Sequence, residues 1–179
     1  MELIPGEHRI RWVLEKAAAL TEGGASPVSG QVLPTGRFFP DRFDKTDPHG
    51  SIERIVARVV KLAGMTEFDI DAGLNAGGSE VGGGCSSGAC SPSSAAADPR
   101  RVVPRLNGGY RLQVSPAEVG QPVGLLTGIV RGVSHVFLKE SHLDECFEGP
   151  EYEWGIDLTG ALLGFGSLLG NGAYQYRKG

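Results

Sequence analysis

Between residues 72 and 99 the chain carries only two large aliphatic side chains, Leu74 and Val81, among runs of Gly, Ser and Ala. Such a stretch cannot bury enough apolar surface to offset the entropy of ordering it, so 72–99 reads as a flexible loop set inside a domain. A core then has to be assembled from the residues on either side. With 179 residues the chain is long enough to do so, and 1–179 reads as a single domain. A second interruption, the Pro/Gly loop 21–49, holds Phe38, Phe39 and Phe43, which are expected to pin it to the core.

Hydrophobic periodicity supplies the elements. Residues 7–20 place Ile10, Val13, Leu14, Ala17 and Ala18 at helical spacing, which predicts one amphipathic helix with a single buried stripe, ending before Gly23 and Gly24. Ile52, Ile55, Val56, Val59, Val60 and Ala63 predict a second helix that Gly64 stops, with Asp47 or Ser51 as its cap. Alternation over 68–71 and 110–114 predicts two half-buried strands, the second entered through Asn107-Gly108-Gly109. A further helix, from Pro116 or Gln121 to about Lys139, carries a wide apolar face of Leu125, Ile129, Val133, Val136 and Phe137. Gly128 and Gly132 within it are expected to admit a close neighbour, for which the glycine-rich stretch 158–174 is the natural partner.

That last stretch is apolar but contains five glycines, Ser167 and Asn171. It falls short of the roughly 20 apolar residues of a bilayer span, so a buried core helix is expected and a membrane span is not. A net charge of −4 gives no basic face for a phosphate backbone, which removes nucleic acid from the expected partners. The first residues show no basic segment leading into an apolar one, and a cytoplasmic location is the resulting expectation. Three cysteines do not suggest a disulfide framework, and Cys85 and Cys90, with four residues between them, lack redox or zinc-knuckle spacing.

Three separated segments carry a resemblance. They are Leu33-Pro34-Thr35-Gly36-Arg37-Phe38-Phe39-Pro40 with Phe43-Asp44; Leu125-Leu126 leading to Val130-Arg131-Gly132-Val133-Ser134-His135-Val136; and Asp157-Leu158 followed by Phe165-Gly166 and Asn171. In order and spacing the chain resembles a group of small bacterial zincin-like metallopeptidases with an HExxH helix. In that motif two histidines four apart bind zinc and the Glu beside the first acts on the metal-bound water. The resemblance implies an α+β fold, with helices packed on a small sheet in a minimal zincin-like arrangement and a glycine-rich C-terminal helix. It also implies that Arg131 and His135 stand at two ligand positions, with Asp157 or Glu153 at an acidic third. The departure lies at the site itself, because Arg131 replaces the first His and Gly132 replaces the Glu.

Subtraction of the base and of a ligand leaves no expected catalytic residue and no expected metal. The relic site is Arg131, His135, Glu153 and Asp157, in which a permanently charged guanidinium takes the place of the metal's charge against the acids. The expected function is that of a pseudoenzyme: a catalytically inactive module for protein binding or assembly, with a protein partner. Two alternatives stay open. In one, the four residues never meet. In the other, a metal-dependent hydrolase uses zinc in a rearranged site of His135, His142 and Asp157, His142 sharing a face with His135 if the helix runs past Ser141. Asp144, Glu145 and Cys146 lie beside His142 but match no strong ligand spacing, and a solvated acidic loop is the simpler reading.

Overall fold

The structure is a computed structural model that describes residues 6–27, 44, 46–74, 102–119 and 121–176. In chain order its elements are α1 (Glu7–Glu22), α2 (Pro48–Leu62), β1 (Ile70–Leu74), β2 (Val102–Pro104), β3 (Tyr110–Val114), α3 (Pro116–Val119), α4 (Pro122–Glu140), a 3-10 turn (Asp144–Cys146), α5 (Glu151–Gly160), a π-type turn (Ala161–Phe165) and α6 (Gly166–Tyr176). Helices on a small mixed sheet make this an α+β fold. The expectations for Phe38, Phe39, Phe43, Cys85 and Cys90, and most of the loops 21–49 and 72–99, fall outside the described residues.

α2 forms because local and tertiary signals agree. The Asp47 carboxylate accepts the Gly50 N–H at 2.9 Å, Pro48 starts the first turn, and Ile52, Ile55, Val56, Val59 and Val60 form one buried stripe. Gly64, at φ +72°, ends it, and Met65 N–H returns to Val60 C=O at 3.0 Å. Ser51, the other proposed cap, is a buried residue inside the helix.

The sheet runs in the order β1-β3-β2, with β1 parallel and β2 antiparallel to β3. Ala72, Leu112 and Val114 turn their side chains to the core. Across the parallel pair Asp71 lies opposite Arg111, which donates to both carboxylate oxygens at 3.0 and 2.8 Å. β3 occupies the expected residues. β1 does not: it starts at Ile70 because its ladder begins opposite Tyr110, whereas Phe68 sits in a turn closed on Met65. The three-residue β2 is too short to show alternation in sequence.

α4 is the centre of the molecule. Leu125, Leu126, Ile129, Val130, Val133, Val136 and Leu138 are all at most 1% exposed, and α2, β3, α5 and α6 pack around them. Gln121 is its N-cap residue, Pro116 belonging to the separate turn α3. The expected single helix over 158–174 is broken: Gly164 takes φ +99°, which an L side chain adopts only under strain, and splits the segment into α5 and α6. No helix among the described residues is long and apolar enough to cross a membrane.

α1 departs most from its sequence pattern. Ile10, Val13 and Leu14 are 44%, 42% and 66% exposed, and Ala18 is exposed, so the predicted stripe is not the buried one. The helix docks instead through Trp12, Lys16 and Leu20. Trp12 lies edge-on to Phe147 and Trp154, and Lys16 donates to the Cys146 carbonyl at 2.6 Å. A large indole between two rings offers more burial than the aliphatic stripe, and helix orientation follows it.

Candidate functional site

The site lies where α4 and α5 cross. Gly160 permits the approach: a Cβ there would stand 2.9 Å from Ser134 Oγ, 2.9 Å from Leu169 Cδ1 and 3.3 Å from Val130 Cγ1. Ser134 is wholly buried and turns its hydroxyl back to Val130 C=O at 2.9 Å, so no polar atom of its own opposes the crossing. One turn before Gly160, Asp157 faces α4, and Glu153 follows a turn earlier on the same side.

Between these acids lies Arg131. Its side chain is 15% exposed, and the two terminal nitrogens donate separately, one to Asp157 Oδ1 and the other to Glu153 Oε2. The carboxylates are 40% (Glu153) and 47% (Asp157) exposed, so the pair is open to solvent on the acidic side and closed on the cationic side. Burial, the larger influence, pushes Asp157 above the usual carboxylate range, while the guanidinium beside it pulls the other way. Two carboxylates share one cation, and Arg131 Nε is buried without a hydrogen-bond partner among the described residues.

His135 does not join this group. One turn along α4, its ring packs edge-on against Tyr152 with centroids 5.6 Å apart, and its Nδ1, like the Tyr152 hydroxyl, is buried with no hydrogen-bond partner among the described residues. The expected group of four is therefore divided: Arg131, Glu153 and Asp157 meet, while His135 sits beside an aromatic ring. Tyr152 has no sequence signal for this role beyond its place next to Glu153 on the helix that packs on α4.

The residues of the rearranged site are also separated from one another. α4 ends at Glu140, and His142 lies beyond it at φ +55°, exposed, so it shares no helical face with His135. Asp144 instead pairs with Lys139, tying the 3-10 turn to the end of α4, and Cys146 is an exposed free thiol. Among the described residues no three His, Cys, Asp or Glu side chains form a group able to hold a metal ion.

Position 132, where the resembled motif would have its general base, points elsewhere. Gly132 is buried, and a Cβ on it would lie 2.9 Å from Leu112 Cδ2 on β3. The close partner of this glycine is the sheet and not the C-terminal helices, contrary to expectation. As arranged, the α4/α5 crossing holds a buried guanidinium between two partly exposed carboxylates.

His135 should report on this packing through pH. Burial first, and Lys139 second, hold its pKa below the ordinary value, with Asp144 opposing; among the described residues Lys139, Asp144 and Tyr152 are titratable groups beside it. A depressed histidine contributes stability that is present above its unfolded pKa, about 6.5, and is lost as pH falls through the lower folded value. His135→Phe keeps a ring against Tyr152 and removes the proton-binding site. Its stability relative to the parent, read from denaturant midpoints, is expected to be constant above about pH 7 and to rise below about pH 6. A difference that stays flat across that range would show that His135 is not buried as a neutral ring.

Comparison with protein-family models, with curated proteins and with solved structures finds no match to this chain.

Proposed function

We propose that the domain is a catalytically inactive, metallopeptidase-like module for protein binding or assembly. The observation that carries the reading is the position of Arg131: its guanidinium lies between Glu153 and Asp157, at the place where the resembled motif has its first metal-binding histidine. A fixed cation there repels a divalent ion and satisfies the acids that would otherwise bind it. Binding finds support in Trp154, which is 57% exposed on α5 directly beside Glu153. An exposed indole next to a rigid charged pair is the kind of feature that interfaces use as an anchor.

The rival, a zinc hydrolase built on His135, His142 and Asp157, requires His142 to leave its exposed position beyond α4 and His135 to leave Tyr152. Elemental analysis separates the two. Protein purified in metal-free buffer and then dialysed against zinc is expected to retain far less than one equivalent, because at most a lone histidine and one acid remain as ligands. One equivalent of tightly held zinc, lost on His135→Ala, would overturn the proposal in favour of the rival.

A further inference from the structure

We infer that the protein partner of this domain presents a basic segment, carrying arginine or lysine, which docks on the surface of α5 around Trp154. The indole is 57% exposed, yet it is held in place: Trp12 meets it with ring centroids 5.8 Å apart and planes at 89°, and Trp12 is itself set against Phe147. A perpendicular contact engages at most one face of a ring, so at this exposure much of the π surface of Trp154 faces solvent. Of the side-chain rings, indole attracts a cation to its face most strongly. The same aromatic cluster already holds one cation from within the chain, because the Lys16 ammonium lies over the Phe147 ring, 5.2 Å from its centroid.

Charge around the ring selects the same occupant. Glu151 and Asp157 stand three residues before and three residues after Trp154 on α5, so a carboxylate flanks the indole on either side along the helix. From Glu140 to Tyr176 the sequence holds seven acids and no Lys or Arg, against a net charge of −4 for the whole chain. The remainder of the chain is therefore net positive, and the negative charge is gathered in this segment. Part of it is answered internally: Lys139 pairs with Asp144, and Arg131 serves both Glu153 and Asp157. Glu145, Glu148 and Glu151 have no ion pair among the described residues, and Glu145 and Glu148 are exposed. A guanidinium or ammonium over Trp154 meets the ring and a carboxylate together, whereas an acidic segment is repelled and a neutral one gains the ring alone.

This inference rests on the binding-module reading and names the chemistry of the partner; the zinc measurement tests that reading without involving Trp154, so the two can fail separately. The experiment is fluorescence anisotropy of labelled octapeptides titrated with the full chain at low ionic strength: all-arginine, all-lysine, all-glutamate and a neutral glycine–serine sequence. The two basic peptides are expected to bind saturably and to weaken as salt is added, and the other two not to bind. Trp154→Leu, which removes the ring and leaves the net charge unchanged, is expected to weaken binding about tenfold, and Trp154→Phe to recover part of that loss. Glu151→Gln is expected to weaken it about threefold. Glu67→Gln, the same change of charge at an exposed acid in the turn before β1, is expected to weaken it by less than about 1.5-fold. Circular dichroism verifies the fold of each variant, and should Trp154→Leu not fold, Trp154→Phe and the two glutamate variants decide. The inference is overturned if neither basic peptide binds, if binding is indifferent to the loss of the Trp154 ring, or if Glu67→Gln weakens it as much as Glu151→Gln, which would mark attraction to net charge alone.

Discussion

Gly132→Glu, which places an acid where the resembled HExxH pattern has one, is expected to destabilise the protein by roughly 4 kcal/mol or more and to confer no hydrolytic activity. The expectation follows from where position 132 points. Its Cβ would lie 2.9 Å from one Leu112 methyl and 3.4 Å from the other, and Leu112 is itself 3% exposed in the middle of the sheet face. A carboxylate entering there meets the buried Leu112 methyls, which offer it no hydrogen bond, so it is either ionised against an apolar surface or protonated at a cost in pKa. Gly132→Ala is the control. It asks the end of the Leu112 side chain to yield slightly and gains about 1 kcal/mol of helix propensity, so its net effect is expected to be small. If chemical denaturation shows Gly132→Glu to be as stable as Gly132→Ala, position 132 faces solvent or the α4/α5 crossing and not the sheet.

Arg131→Ala is expected to cost about 2 kcal/mol, between the value for a surface ion pair and that for a fully buried one. The guanidinium is enclosed, but its two acids are each partly exposed, and water reaching them limits the penalty of leaving them without a cation. The cycle with Asp157 is more informative than the single change. In the parent, Asp157→Ala removes one of two acids from Arg131. After Arg131→Ala the same change relieves Asp157 of an environment in which burial already pushes its carboxyl toward protonation, beside Glu153. Asp157→Ala is therefore expected to be milder by about 1 kcal/mol in the Arg131→Ala background. Additivity to within about 0.3 kcal/mol in urea titrations would mean that the two side chains do not interact in solution.

The elements that could be read in advance are those in which local chemistry and burial coincide. α2 has a capping carboxylate, a proline in its first turn, one apolar stripe and a glycine stop, and nothing in its surroundings competes with them. β3 shows plain alternation, and α4 has a wide apolar face because it is enclosed on most sides. The pairing of Arg131 with Glu153 and Asp157 was legible in part, since two acids four apart must share a helix face and a single arginine on the facing helix can reach both. The division of His135 from that group was not legible. Arg131 and His135 are also four apart, and only the ring of Tyr152 decides that the histidine turns away.

By itself, then, the sequence determined the α+β class and the course of α2, β3 and α4, because periodicity, caps and side-chain identity are properties of short windows. Tertiary structure decided what windows do not contain. It set which face of α1 is buried, since Trp12 competes with Ile10, Val13 and Leu14 and wins by fitting between Phe147 and Trp154. It set where the last apolar segment breaks, because Gly164 takes a left-handed conformation that a run of alternative glycines does not announce. It also set what Gly132 and Gly160 are for, one meeting the sheet and the other α4. Each of these outcomes is a contest between partners far apart in the chain, and its result depends on shape and distance that are not written in either partner alone.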